Sequence, residues 1–221
     1  MVRGAYMKPW LFAEQGRPLM RADLIGMRLP ERCWETTVKR FGGGPSVIER
    51  LKSYAFNLRK MRQDGIGLFL NGPNGVGKSC IVAHYGKAFR SHGQSVLYAR
   101  AVELVTSSIE TYPMGDAWGG LDLWQLAKQV DVLILDDLGK EHRSQSSYAE
   151  TMIEDLLRAR YERKGVTLIT TNMSGPALVE TYKASTLSII KAMTISLTIT
   201  GEDQRQQKYE ADLMNTGALA P

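Results

Sequence analysis

Cysteine is scarce in this chain of 221 residues: only Cys33 and Cys80 occur, far apart and in no metal-ligand spacing. That argues against a disulfide framework and against a zinc site. Long apolar runs are missing too, and no stretch approaches the roughly 20 residues that span a bilayer. The opening segment MVRGAYMKPWLFAEQGRP has no continuous apolar core of the kind a signal peptide carries, so a cytoplasmic location is expected. Internal repeats and low-complexity tracts are also missing. What remains is ordinary for a soluble globular protein, with 43% hydrophobic and 23% charged residues.

Acidic residues are few at the front of the chain. Residues 1–64 hold 13 Lys/Arg against 6 Asp/Glu, whereas residues 65–221 hold 15 against 17. A basic front end on a near-neutral body suits an anionic partner such as nucleic acid, although a solvated basic tail has the same composition. The first 44 residues show no sustained periodicity and end in FGGGP, which reads as a joint. From Pro45 onward Ile48, Leu51, Ala55, Leu58 and Met61 recur at three- and four-residue steps, one face of an amphipathic helix.

Beyond Gly65, apolar runs of strand length alternate with helical stretches. Strands are expected at 67–71, 95–99, 130–136, 166–172 and 194–200, and helices at 78–91, 101–111, 121–129, 147–164 and 174–192. Near-continuous apolar strands alternating with helices predict an α/β fold with a five-stranded parallel sheet covered on both faces.

Two segments carry chemistry. GPNGVGKS, Gly72–Ser79, follows the first strand and opens a helix, matching the phosphate-loop pattern. Its members Gly72, Pro73, Asn74, Gly75, Val76, Gly77, Lys78 and Ser79, with Cys80 after them, form the expected nucleotide cradle. Glycines let backbone N–H groups turn onto phosphate oxygens, Lys78 reaches the β- and γ-phosphates, and Ser79 binds Mg²⁺. The second segment, VDVLILDDLGKE, is an apolar strand that stops at Asp136 and Asp137. Two like charges at a buried strand end are costly unless a cation compensates them. Asp136 is therefore expected to hold the nucleotide's Mg²⁺, and Asp137 to polarise the attacking water. A helix N-cap is the alternative role for either aspartate. The next strand ends on Thr170, Thr171 and Asn172, and Asn172 is placed to sense the γ-phosphate through that water.

With these motifs in place the sequence resembles the helicase-loader and transposition-ATPase branch of the AAA+ P-loop ATPases, the group containing DnaC, DnaI and IstB. The resemblance covers about residues 28–205 and rests on RLPERCWETTVKRF, GIGLFLNGPNGVGKS, HGQSVLYARAVELV, VDVLILDDLGKE, LLRARYERKGVTLITTN and TGEDQR. It implies an ATPase domain over 45–207 that lacks a C-terminal lid, between an N-terminal extension (1–44) for partner docking and a tail (208–221). It also implies ATP and Mg²⁺ as cofactors, an ATP-dependent homo-oligomer and no membrane role. Asp137 then takes the catalytic part with Lys78, Asn172 matches sensor 1, and Arg205 matches the sensor 2 arginine.

The implied activity is the loading of a replicative helicase onto single-stranded DNA. An IstB-like ATPase assisting a transposase is the alternative, and a non-hydrolysing, nucleotide-gated binding module is a further one. A P-loop kinase is a fourth reading, disfavoured because the Asp137 pair and Asn172 point to water as acceptor. Family members carry arginine fingers where this chain has Ser185 and Ile189, with Lys191 the nearest cation, so slow hydrolysis is expected without partners. YMKPWLF reads either as a docking peptide or as a strap on its own domain. Tyr112, Trp118 and Trp124, with Arg100 and Lys128, are candidates for DNA contact, although Asp116 and Asp122 oppose tight tracking and Trp124 and Leu121 also suit a helix core face.

Overall fold

Apolar runs too hydrophobic to face water on either side have one solution, a sheet buried between two helical layers. The computed structural model describes residues 16–35, 44–109, 122–140 and 146–203. In it the strands β1 (Gly67–Asn71), β2 (Val96–Arg100), β3 (Val132–Leu138), β4 (Val166–Thr171) and β5 (Thr194–Thr198) form one sheet. All pairings are parallel, in the order β2-β3-β4-β1-β5. The strands fall within two residues of the periodicity-based expectation at every boundary.

Alternate residues point to opposite sides, which divides the core in two. Leu68, Leu70, Val132, Ile134 and Leu168 face one layer, with Ile81, Tyr85 and Phe89 of α4 (Lys78–Ser91) at its centre. Phe69, Leu133, Leu135 and Ile169 face the other. That second layer is built from α5 (Ala101–Ile109), α6 (Leu123–Gln129), α7 (Ser146–Glu162), α8 (Gly175–Thr181) and α9 (Ala184–Met193).

Two helices expected to be continuous are broken. The first is α2 (Pro45–Phe56) and α3 (Leu58–Asp64), interrupted at Asn57, whose side-chain amide donates to the Ser53 carbonyl at 2.8 Å. The second breaks at Tyr182, which is extended (φ −114°, ψ 141°) and buries its ring in the second core layer. Ser174 caps α8 and Pro176 sits in its first turn, while apolar spacing continues through Tyr182 and hides the break.

The segment read as an N-terminal extension contributes to the core. Leu24 of α1 (Arg21–Gly26) and Met27 just after it pack with Leu29 and Cys33 against the α4 layer, and the Tyr98 N–H donates to the Met27 carbonyl at 2.8 Å. Asp23 fastens this strap by accepting from Arg17 at 2.5 and 2.8 Å and from Arg90 of α4 at 3.0 Å. YMKPWLF lies outside the described residues.

Arg160 of α7 explains the RYERKG signature structurally. Its guanidinium is fully buried and donates to Thr167 Oγ1 and to the carbonyls of Ala127, Val130 and Val166 at 2.6–3.0 Å. One planar fork thus ties α6 and α7 to the start of β4 and to the turn before β3, at the amino ends of the strands and away from the phosphate loop.

Candidate functional site

The phosphate loop, the aspartate pair and Asn172 gather at the carboxyl ends of β1, β3 and β4, where parallel α/β sheets bind ligands. Strand β1 ends at Asn71, and the loop turns over its end into α4. Gly77, the N-cap of α4, has φ 93°, and Gly75 has φ 77°. The backbone conformation at both positions favours glycine. Val76 is buried in the core and anchors the loop, Pro73 and Asn74 are exposed, and Gly72 and Cys80 are half-buried. Lys78 Nζ donates to the carbonyls of Gly72 and Pro73 at 2.8 and 2.7 Å, which holds the amine across the mouth of the loop.

Asp136 is fully buried and surrounded by hydroxyls. Its Oδ1 accepts from Ser79 Oγ at 2.9 Å and from Thr170 Oγ1 at 2.5 Å, and its Oδ2 accepts from Tyr98 OH at 2.6 Å. Burial, together with the Asp136 charge, pushes the Tyr98 phenol well above its ordinary pKa, so it stays a donor. The register against β4 shifts between Leu135 and Leu138, a bulge at the aspartate pair. Asp137 takes the left-handed conformation there (φ 60°), which aspartate tolerates better than most residues. The bulge lets both carboxylates serve one region although adjacent strand residues normally point to opposite faces. Asp137 is partly exposed and pairs with Lys140 at 2.8 Å. Asn172 Nδ2 donates to Asn74 Oδ1 at 3.1 Å, which joins the end of β4 to the phosphate loop.

Three contributors went unassigned in the sequence reading. Thr170 was visible in the polar trio but had no role until β3 and β4 were paired. Tyr98 lies in the HGQSVLYARAVELV segment without a role of its own; the parallel register of β2 and β3 brings it near Asp136. Lys140 lies inside LDDLGKE, where the left-handed turn at Asp137 brings it back on the carboxylate.

Other candidates stand elsewhere. Trp124 is buried in the second core layer, as a helix core face requires. Lys128 pairs with Asp155 at 2.6 Å and lies over the Trp124 ring, while Arg100 is exposed at the end of β2. Ser185 is exposed on α9, but Ile189 is buried, so an arginine at 189 would enter the core rather than an interface. Arg205, Tyr112, Trp118, Leu121 and Asp116 lie outside the described residues.

The residues present fit a nucleoside triphosphate with Mg²⁺. The glycine-lined turn at the start of α4 offers backbone N–H groups and a helix N-terminus to phosphate, with the Lys78 cation beside them. Ser79 Oγ and Asp136 Oδ1 are two hard oxygens 2.9 Å apart. Mg²⁺ usually takes one or two protein oxygens and completes its shell with phosphate and water.

The chain matches known proteins in the same terms. Residues 42–193 match the family described as IstB-like ATP binding protein. A putative insertion sequence ATP-binding protein of Sinorhizobium fredii (strain NBRC 101917 / NGR234) is 36% identical over 112 residues, 49% of this chain and 34% of the relative. The insertion sequence IS1162 putative ATP-binding protein of Pseudomonas fluorescens is 39% identical over 98 residues, 44% of this chain and 39% of the relative. The matches thus span less than half the length of either curated relative.

Among solved structures, the DnaC helicase loader superposes with a TM-score of 0.61 at 22% identity, covering 77% of this chain and all of that one. DnaI gives 0.61 at 20%, covering 79% and 96%. AMPPCP-bound DnaA from Aquifex aeolicus gives 0.56 at 17%, covering 83% and 54%. These likenesses establish the AAA+ P-loop fold. Among the described residues no helix is long and apolar enough to cross a membrane. With its phosphate loop and paired aspartates on one side of a five-stranded parallel sheet, the chain belongs to the IstB-like ATP binding protein family.

Proposed function

We propose that the protein hydrolyses Mg-ATP slowly and uses the nucleotide state to control its own assembly with a DNA-processing enzyme. The observation that carries this reading is the 2.9 Å approach of Ser79 Oγ to Asp136 Oδ1 beside Lys78. In this reading Mg²⁺ neutralises charge on the β- and γ-phosphates. Lys78 leaves the Gly72 and Pro73 carbonyls for phosphate oxygens. Ser79 and Asp136 hold the metal, while Tyr98 and Thr170 keep the Asp136 carboxylate oriented. Asp137 accepts a proton from the attacking water, and Asn172 orients that water from the end of β4. Arg205 contacts the nucleotide as the sensor 2 arginine.

The partner we favour is a transposase, with DNA as the shared substrate, because the relatives with 36% and 39% identity are insertion-sequence ATP-binding proteins. A second reading, the loading of a replicative helicase onto single-stranded DNA, is supported by a backbone likeness that spans the whole of the DnaC chain. An exposed Ser185 where the family resemblance places an arginine finger favours slow turnover in isolation, with ATP acting on a homo-oligomer as an assembly switch. Size-exclusion chromatography with light scattering on mixtures with an insertion-sequence transposase or the replicative helicase, with and without Mg-ATP, tests both. ATP-dependent co-elution with the transposase supports the first reading, and co-elution with the helicase alone replaces it with the second. Turnover well above about one per second without partners would refute the switch, because the loss of an arginine finger should slow hydrolysis by orders of magnitude.

A further inference from the structure

Asn-Gly occurs twice around the phosphate loop, as Asn71–Gly72 and Asn74–Gly75. In this pair an asparagine side chain is open to attack by the next backbone nitrogen, because glycine has no side chain to shield it. The attack needs a peptide that can turn toward the Asn side chain, and the fold treats the two pairs differently. Asn71 ends β1, in register with Thr171 of β4 on one side and Thr198 of β5 on the other. Its carbonyl, part of the same peptide as the Gly72 nitrogen, accepts the Ile199 N–H at 2.8 Å. A Cβ on Gly72 would lie 2.0 Å from the Ile199 carbonyl oxygen, so β5 hems this peptide in. Asn74 instead stands exposed in the turn beyond the strand end. Its Oδ1 accepts from Asn172 Nδ2 at 3.1 Å, a hydrogen bond that draws electrons from the Asn74 Cγ carbon.

We propose that Asn74 is a modification site at which the Gly75 nitrogen converts the side chain to aspartate or isoaspartate, lowering nucleotide affinity, and that bound nucleotide suppresses the reaction. The functional half rests on the reading of the phosphate loop as the ATP site. Solvent hydroxide takes the Gly75 amide proton, and the nitrogen forms a bond to Asn74 Cγ. The bond from Cγ to the side-chain nitrogen breaks, and that nitrogen leaves as ammonia with a proton from solvent. Water then opens the ring. Addition at Cγ gives aspartate, and addition at the main-chain carbonyl carbon gives isoaspartate. One water is consumed, one ammonia is released, and nothing is oxidised or reduced. Either product replaces a neutral amide by a carboxylate, and isoaspartate also adds a carbon to the backbone of the loop. The functional reading puts Asn172, the hydrogen-bond partner of Asn74, at the γ-phosphate, so the new charge faces the triphosphate and repels it. Bound phosphate takes the loop N–H groups. A Gly75 N–H engaged in this way is withheld from hydroxide, and the loop is held still.

The test holds the full chain warm at mildly alkaline pH for several days, with and without Mg²⁺ and a non-hydrolysable ATP analogue. Intact mass, released ammonia and fragment masses across Gln63–Lys78, which contains both pairs, locate the change. Anion exchange separates the modified protein for titration with the analogue. The expected result is a gain of about one dalton, the difference between amide and acid, at Asn74 and not at Asn71. The analogue should slow it several-fold, and the modified protein should bind about tenfold more weakly or worse, as one added like charge requires. Asn74→Ser should keep its own starting affinity through the same treatment. Modification at Asn71 as fast as at Asn74, or at neither, would overturn the site. Modified protein of unchanged affinity would overturn the effect on the nucleotide, and equal rates with and without analogue would overturn the protection. Fresh protein that binds no nucleotide would instead refute the ATP site, while the position of the modification still decides between Asn74 and Asn71.

Discussion

Thr170 donates its hydroxyl to Asp136 Oδ1 at 2.5 Å and accepts the backbone N–H of Asp137 at 3.0 Å. One β4 side chain therefore holds both members of the aspartate pair across the bulge in β3. Without it a fully buried carboxylate would lose one of three hydroxyl donors, and the Asp137 N–H would lose its acceptor.

Replacing Thr170 by valine keeps the shape and removes that bridge. Hydrolysis should fall by about 10- to 100-fold, as for lost outer-shell partners of metal ligands. The unsatisfied groups should cost about 1–3 kcal/mol of stability. Phosphate release measured beside fluorescent-nucleotide binding and urea unfolding separates the two effects.

Lys78→Ala removes the cation that now spans the mouth of the loop. Charge-assisted hydrogen bonds are worth about 1.5–3 kcal/mol each, so nucleotide affinity should drop by about 100-fold. Equilibrium titration with a fluorescent ATP analogue checks this, and unchanged affinity would remove Lys78 from the site.

Asp137→Asn should leave binding near wild type and slow hydrolysis by about 10²–10⁴-fold, the usual contribution of a positioned base. Single-turnover phosphate release is the measurement. Normal turnover would assign the water-activating role to another group.

Arg160→Lys replaces a fork donating to one hydroxyl and several carbonyls by an ammonium with three donors. Buried acceptors left unpaired cost about 1–3 kcal/mol each, so urea unfolding should show a loss of about 3 kcal/mol or more. Nucleotide affinity of the folded fraction should hold, because Arg160 lies at the amino end of β4, away from the phosphate loop.

Asp23 ties the N-terminal strap to α4, and its carboxyl is held well below the ordinary range, first by the hydrogen bond from Arg17 and then by those from Met20 N and Arg90, against an opposing burial effect. Its folded pKa is depressed, so its contribution is present above the ordinary carboxyl value of about 4 and lost as pH falls below that. Wild type should therefore lose more stability than Asp23→Asn between about pH 5 and pH 3. Thermal unfolding across that window checks the sign.

The sequence by itself determined the α/β class, the five strands and the phosphate-loop helix. Apolar runs of strand length and a GxxxxGKS segment leave little freedom in how the backbone satisfies its hydrogen bonds. The convergence of Asp136, Lys78 and Ser79 at one end of the sheet was legible because each belongs to a local motif at a strand end. The helix breaks at Asn57 and Tyr182 were not, since amphipathic spacing continues through both. The roles of Thr170 and Tyr98 and the bulge that aims Asp137 depend on strand order and register. Those are fixed by how two helical layers bury the sheet, and no neighbouring residue in the chain records them.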